Sequence, residues 1–188
     1  MIGKSVLLVL GGASVATTGI AQQSRKPDLR AVAHQLIASA MLHEGQSVLV
    51  TGSLRDAGLM EDLAIEARKL GAQPLLSIWS ERLTRRSYDE VPPKYDDQEP
   101  KLDLVVAKLF DAQIAIDFGE SEGLLAGVPE ERIAARAKAG APVNEAFLKR
   151  DVHFVNLGNG LYPTATLAKR LGITQTRLAS GFWKAVAL

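Results

Sequence analysis

The chain contains no cysteine. That excludes disulfide staples, thiolate zinc sites, cysteine nucleophiles and a lipid-modified cysteine behind a leader peptide. Histidine is scarce, with His34, His43 and His153 the three present. The first two fall nine positions apart on one predicted helix, too far to share a liganding face. His153 enters a strand with no carboxylate or imidazole neighbour in sequence, and nothing resembles His-Glu-x-x-His or another dense ligand cluster. Excess charge of either sign is also missing. Twenty-two Lys and Arg against 21 Asp and Glu leave a formal charge of +1, so neither nucleic acid nor an anionic membrane meets a concentrated basic surface. The densest basic group, Arg82, Arg85 and Arg86, is followed by Asp89, Glu90, Asp96, Asp97 and Glu99 and reads as a solvated loop.

What is present begins with a tripartite N-terminus. Met1 to Lys4 is short and basic, Ser5 to Leu10 is apolar, and small residues continue to Ala21. This is the pattern of a secretory signal peptide cleaved after Ala21, which leaves residues 22–188 as the mature chain in the periplasm or outside the cell. The apolar part is too short for a comfortable membrane span, and no later segment could cross a membrane. Read instead as a first strand, Val6 to Leu10 with a turn at Gly11 and Gly12, the same segment implies a cytoplasmic protein.

The remainder alternates helical and strand patterns. Pro27 and Asp28 start a helix in which Leu29, Val32, Ala33, Leu36, Ile37 and Ala40 recur at helical spacing, with a stop expected near Gly45. Ser47 to Thr51 reads as a buried strand. Leu54 to Leu70 is an amphipathic helix closed by Gly71, and Pro74 to Trp79 is a second strand. Arg82 to Pro100, with three prolines and many acids, reads as an irregular excursion. Lys101 to Phe110 looks helical, and Gln113 to Phe118 is a third strand. A long helix is expected from Pro129 at its first position to about Arg150, interrupted near Gly140-Ala141-Pro142. Val152 to Leu157 is a fourth strand, and Pro163 and Thr174 open two last helices. This alternation predicts one three-layer α/β domain with a mainly parallel sheet of about four strands flanked by helices.

In open parallel sheets, ligands lie beyond the carboxyl ends of the strands. After the first strand, Thr51-Gly52-Ser53-Leu54-Arg55-Asp56-Ala57-Gly58 invites a dinucleotide reading. It departs from that pattern at Asp56, whose charge would repel phosphates, and no Tyr-x-x-x-Lys pair follows. A glycine turn with Ser53 capping the helix is the plainer reading, which leaves a nicotinamide-dependent oxidoreductase as the weakest alternative. Asp117, Glu120 and Glu122 cluster after the third strand, where they could bind a cation or a substrate amine, although such acids more often solvate a loop. No serine sits in a Gly-x-Ser-x-Gly elbow.

The order of motifs carries more information. A helix runs into His43-Glu44-Gly45-Gln46-Ser47-Val48-Leu49-Val50, and an amphipathic helix ends in Arg68-Lys69-Leu70-Gly71-Ala72-Gln73-Pro74. Later come Gly158-Asn159-Gly160-Leu161-Tyr162-Pro163-Thr164, then Ala168-Lys169-Arg170-Leu171-Gly172-Ile173-Thr174, and a helix holding Leu178 and Phe182-Trp183-Lys184-Ala185. Over residues 28 to 188 this succession resembles the N-terminal domain of the thermophilic metalloaminopeptidases, of leucyl aminopeptidase or aminopeptidase T type. The resemblance implies an exopeptidase that removes N-terminal amino acids with two divalent metal ions. It also implies that the ligands and general base lie in a second domain after the helix ending near Ala187, where this sequence stops. No metal or catalytic residue is therefore carried over, and no cofactor is expected within these residues. A peptide substrate is expected only together with the C-terminal catalytic domain, and a homodimer is allowed. Asn159, Tyr162 and Thr164, after the fourth strand, are the candidates for facing substrate or that second domain. A non-catalytic exported binding module on the same scaffold is the alternative.

Overall fold

The computed structural model describes residues 27–117 and 123–186. The signal-peptide reading, its strand alternative, Phe118, Glu120 and Glu122 lie outside the described residues.

Helix α1 (Leu29–Ser39) starts where Asp28 accepts hydrogen bonds from the Arg30 and Ala31 amides, satisfying two donors of the first turn. It ends earlier than the sequence pattern suggests. Ala40 closes the last turn and Met41 takes a left-handed φ of 48°, so the apolar run continues past the helix while Leu42 is still buried. Strand β1 (Ser47–Ser53) leads through a 3-10 turn at Leu54–Asp56 into α2 (Ala57–Lys69). The left-handed Gly71 (φ 76°) then turns the chain into β2 (Gln73–Trp79).

The expected irregular excursion after β2 proves to be helical. Helix α3 (Glu81–Glu90) is capped by Ser80 Oγ, which accepts from the Leu83 amide at 3.0 Å. It is laced by two i,i+4 ion pairs, Arg85–Asp89 at 2.9 Å and Arg86–Glu90 at 2.6 Å. The charge density that read as a loop is thus arranged on a helix surface, where such pairs support a helix with almost no buried face. The prolines act only after it, where Pro93–Tyr95 forms a 3-10 turn.

Helix α4 (Lys101–Ala107) precedes β3 (Ala112–Ile116). Helix α5 (Glu130–Lys149) begins one residue later than expected, so that Pro129 immediately precedes it instead of being its first residue. Contrary to the expected interruption, α5 is continuous through Pro142. A proline removes one helical hydrogen bond, and here it is exposed, as is Lys138, whose carbonyl loses that donor. Water can take its place, so the helix tolerates the ring. Strand β4 (His153–Leu157), α6 (Ala165–Arg170) and α7 (Gln175–Val186) complete the order.

All strand pairings are parallel, in the order β2-β1-β3-β4. Val48, Val50, Ala112, Ile114, Ile116 and Leu157 face the main core. The apolar stripes of α1 and α2 pack there, as do Phe182, Trp183 and Val186 of α7. The alternate residues, including Leu49, Gln113 and Phe154, face the α5 side. The result is the expected three-layer α/β arrangement. Its chain order reverses between β1 and β3, because β2 lies on one side of β1 and β3 on the other. The carboxyl ends of β1 and β3 are therefore the topological switch point.

Candidate functional site

A polar cluster surrounds that switch point. Beyond β1, the 3-10 turn brings Asp56 inward until it is 5% exposed, a burial that an ionised carboxylate tolerates only with full hydrogen bonding. It has that bonding. Ser53 Oγ donates to Asp56 Oδ2 at 2.8 Å, and Tyr162 Oη donates to Oδ1 at 2.7 Å. Arg55 reaches both oxygens, with Nε at 3.1 and 3.2 Å and Nη2 at 3.0 Å from Oδ2. The same Nη2 donates to the Asp117 carbonyl at 2.8 Å, tying the end of β1 to the end of β3. The guanidinium lies 4.5 Å from the centre of the Tyr162 ring, a cation–π geometry.

Tyr162 comes from the segment after β4. Its ring packs against Phe182 and Trp183 of α7, with centroids 5.4 and 5.8 Å away. Burial raises the Tyr162 hydroxyl above its ordinary pKa, and the hydrogen bond to Asp56 and its charge raise it further. At neutral pH it is a fixed donor.

The backbone before Tyr162 folds around Asp117. Asp117 Oδ2 accepts the Gly160 amide at 2.7 Å, and the Asp117 amide donates to the Leu157 carbonyl at 2.9 Å. Gly158 has φ 121°, and a Cβ there would come within 2.6 Å of the Asp117 Cβ. Only glycine fits. Asn159, also left-handed at φ 47°, donates its amide to Asn156 Oδ1 at 2.7 Å.

The three residues singled out in sequence thus occupy different places. Asn159 is exposed at the loop tip. Tyr162 is buried in the polar cluster. Thr164 is 5% exposed, and its Oγ1 caps α6 by accepting the Leu167 amide at 3.1 Å. The structure brings Tyr162 together with Arg55 and Asp56, which sequence reasoning did not connect with it. The one local signal was an adjacent Arg-Asp pair at a strand's end. Its partner lies 106 positions later, and spacing along the chain cannot show that.

Ser53 does not cap α2, as the sequence pattern suggested. It makes no capping hydrogen bond, and its hydroxyl goes to Asp56. Gly52 lies within β1, where a Cβ would meet Met60 Sδ at 2.9 Å, so this glycine serves strand–helix packing. A phosphate approaching the start of α2 would meet the buried Asp56, an arrangement opposed to dinucleotide binding.

Divalent metals need several converging oxygen or nitrogen ligands. Among the described residues no group of three or more His, Cys, Asp or Glu converges. Asp56 and Asp117 are engaged as above. His34 and His43 are exposed, and His153 Nε2 lies 3.0 Å from the Ser39 carbonyl. The described residues therefore do not fit a dinuclear metal site, and no hydrolytic step is assigned to them. What the cluster can do is hold the ends of three segments rigidly: β1, β3 and the loop after β4.

A family model described as thermophilic metalloprotease (M29) matches residues 26–187. No curated protein sequence matches the chain. Among solved structures, wild-type AmpT from Thermus thermophilus is similar with a TM-score of 0.63 and 20% sequence identity, over 85% of this chain and 42% of that one. At this identity the likeness bears on fold alone, and the chain spans 42% of that protein's length.

Proposed function

The chain belongs to the thermophilic metalloprotease (M29) family, and on that premise we propose that it is the N-terminal, non-metal-binding region of a metal-dependent aminopeptidase. In this reading it does not hydrolyse peptides by itself. It supplies a rigid α/β scaffold whose loop after β4 faces the catalytic portion and the peptide. Asn159 presents the exposed tip of that loop, while Tyr162 and Thr164 anchor its other side. The observation that carries the scaffold role is the closed hydrogen bonding of Asp56. Its acceptors are taken by Ser53, Arg55 and Tyr162, as suits a structural carboxylate better than a general base awaiting substrate.

The test is hydrolysis of an aminoacyl anilide by the purified chain with added zinc, cobalt or manganese. No turnover above the metal-only control is expected. Robust turnover that tracks the protein would overturn the reading.

The same proposal places the protein outside the cytoplasm, on the tripartite pattern of residues 1–21. N-terminal sequencing of material from the periplasm or medium should begin at Gln22. Recovery of only uncleaved protein from the cytoplasm would refute export.

A further inference from the structure

The α5 side of the sheet is open beside β4. Gln113 and Phe154 are register partners across β3 and β4, so their side chains lie next to each other on that face. Phe154 is 57% exposed, and Leu148 of α5 is 80% exposed. Between them lies a cavity of about 340 Å³, whose other walls come from Asn144, Phe147 and Asp151. That is within the size range of sites for small organic ligands.

The lining is divided in character. Phe147, Leu148 and Phe154 supply apolar surface, and three polar side chains edge it. Gln113, Asn144 and Asp151 make no side-chain hydrogen bond or ion pair among the described residues. Gln113 is half-buried on an interior strand, where polar side chains ordinarily find partners. Asn144, Phe147 and Leu148 share one face of the last turns of α5, and Asp151 follows where the chain leaves the helix left-handed (φ 54°).

The charge at this edge is negative. Lys149 and Arg150, the cations next to Asp151 in the chain, are paired with Glu145 at 3.2 Å and Asp111 at 2.7 Å. The carboxyl end of α5 adds its partial negative charge at the same place. A ligand carrying a cation is favoured there.

We propose that this cavity binds a hydrophobic α-aminoacyl group, meaning an ammonium, a large apolar side chain and an adjacent carbonyl. The ammonium pairs with Asp151, and the side chain enters between Phe147 and Phe154. The carboxamides of Gln113 and Asn144 serve the carbonyl end, since each can donate as well as accept. A free amino acid and the amino end of a peptide share this chemistry. The cavity lies at the amino ends of β3 and β4, opposite the switch point. It needs no catalytic portion, so it stands whether or not the chain serves an aminopeptidase.

Amide chemical-shift titration of the isotope-labelled full chain with phenylalanine amide tests the proposal. Saturable shifts confined to the end of α5, β3 and β4 are expected. Glycine amide lacks the side chain and phenylpropionamide lacks the ammonium, so each should bind about tenfold or more weakly. Asp151→Asn keeps a residue type that tolerates the left-handed turn. It should weaken phenylalanine amide binding by about tenfold, with an unchanged circular dichroism spectrum. Tighter binding of free phenylalanine than of a phenylalanyl peptide would assign the site to amino acids, and the reverse to peptide ends; either upholds it. No saturable shift, shifts centred elsewhere, equal binding of either comparison amide, or full binding by Asp151→Asn would each overturn it.

Discussion

The two sides of the sheet are held together in different ways. On the α1–α2 side, Val32, Val48, Val50, Leu63 and Ile114 are completely buried, and Leu59 and Met60 nearly so. Burial of that kind is non-directional and tolerates small shifts. On the other side, the 20-residue α5 contains no buried residue at all. Beside half-buried Ile133, Val143 and Phe147, its attachment relies on polar ties. Asp96, itself 4% exposed, receives Arg132 Nε at 2.5 Å and Arg136 Nε at 2.6 Å. Both guanidiniums also reach carbonyls of the α3 region: Arg132 those of Tyr88 and Val91, and Arg136 that of Ser87. Arg136 lies 3.9 Å from the Tyr88 ring centre. At the far end of the helix, Arg150 donates to the Phe110 carbonyl and to Asp111. One side is an oil-like contact of many small terms. The other is a few strong, directional ties, so it should fail at single atoms.

The largest effect should come from the apolar side. Leu63→Ala, at a fully buried position, removes side-chain contacts and leaves a cavity, which costs about 3 kcal/mol. It should lower the whole denaturant transition without a separate phase for α5. A loss confined to α5 would break the contrast. Next comes the switch point. Tyr162→Phe removes a donor to a buried carboxylate and should cost about 2 kcal/mol, measured by chemical denaturation. Wild-type stability should also decline above about pH 10, where an unfolded tyrosine ionises. The folded Tyr162 resists ionisation because its pKa is raised, so its share of stability is complete below that pH and lost above it. The phenylalanine variant should show a shallower alkaline decline, and identical profiles would refute the assignment.

Smaller in global terms, but more selective, is Asp96→Asn. Amide exchange should speed up in α3 and α5 while β1 and β3 keep their protection, and uniform loss would show that the two sides are not separable. Acid should mimic this variant. The hydrogen bonds from Arg132 hold the Asp96 carboxyl below the ordinary range, with Arg136 adding to them. A depressed carboxylate contributes stability that is complete above about pH 4 and is lost as pH falls through the folded value. Loosening of α5 ahead of the core below that pH is the expected result.

Much of this architecture was legible in advance, because period and punctuation survive in any context. The strands, α2 and the start of α1 stand where apolar spacing, Asp28 and Gly71 put them, and the last two helices begin within two residues of the expected Pro163 and Thr174. The readings that failed share a cause. Helix α3 was read as a loop because its stabilisation comes from Ser80 capping and paired charges, while composition records only that charges are present. The break at Pro142 did not occur because its ring falls on the exposed side of α5. Of the polar cluster, Tyr162 and Asp56 were each noticed but not connected with one another. Arg55 and Asp56 meet it only after β1, β3 and the β4 loop converge.

By itself, then, the sequence determined the order of elements, the parallel α/β class and the family succession of motifs, all of which rest on interactions between near neighbours in the chain. The tertiary structure alone decided that Asp56 is a buried, fully bonded carboxylate, that one aspartate anchors α5 through two arginines, and that Gln113, Asn144 and Asp151 share one cavity. Burial and hydrogen-bond partnership depend on residues tens of positions apart, and only the folded chain sets those distances.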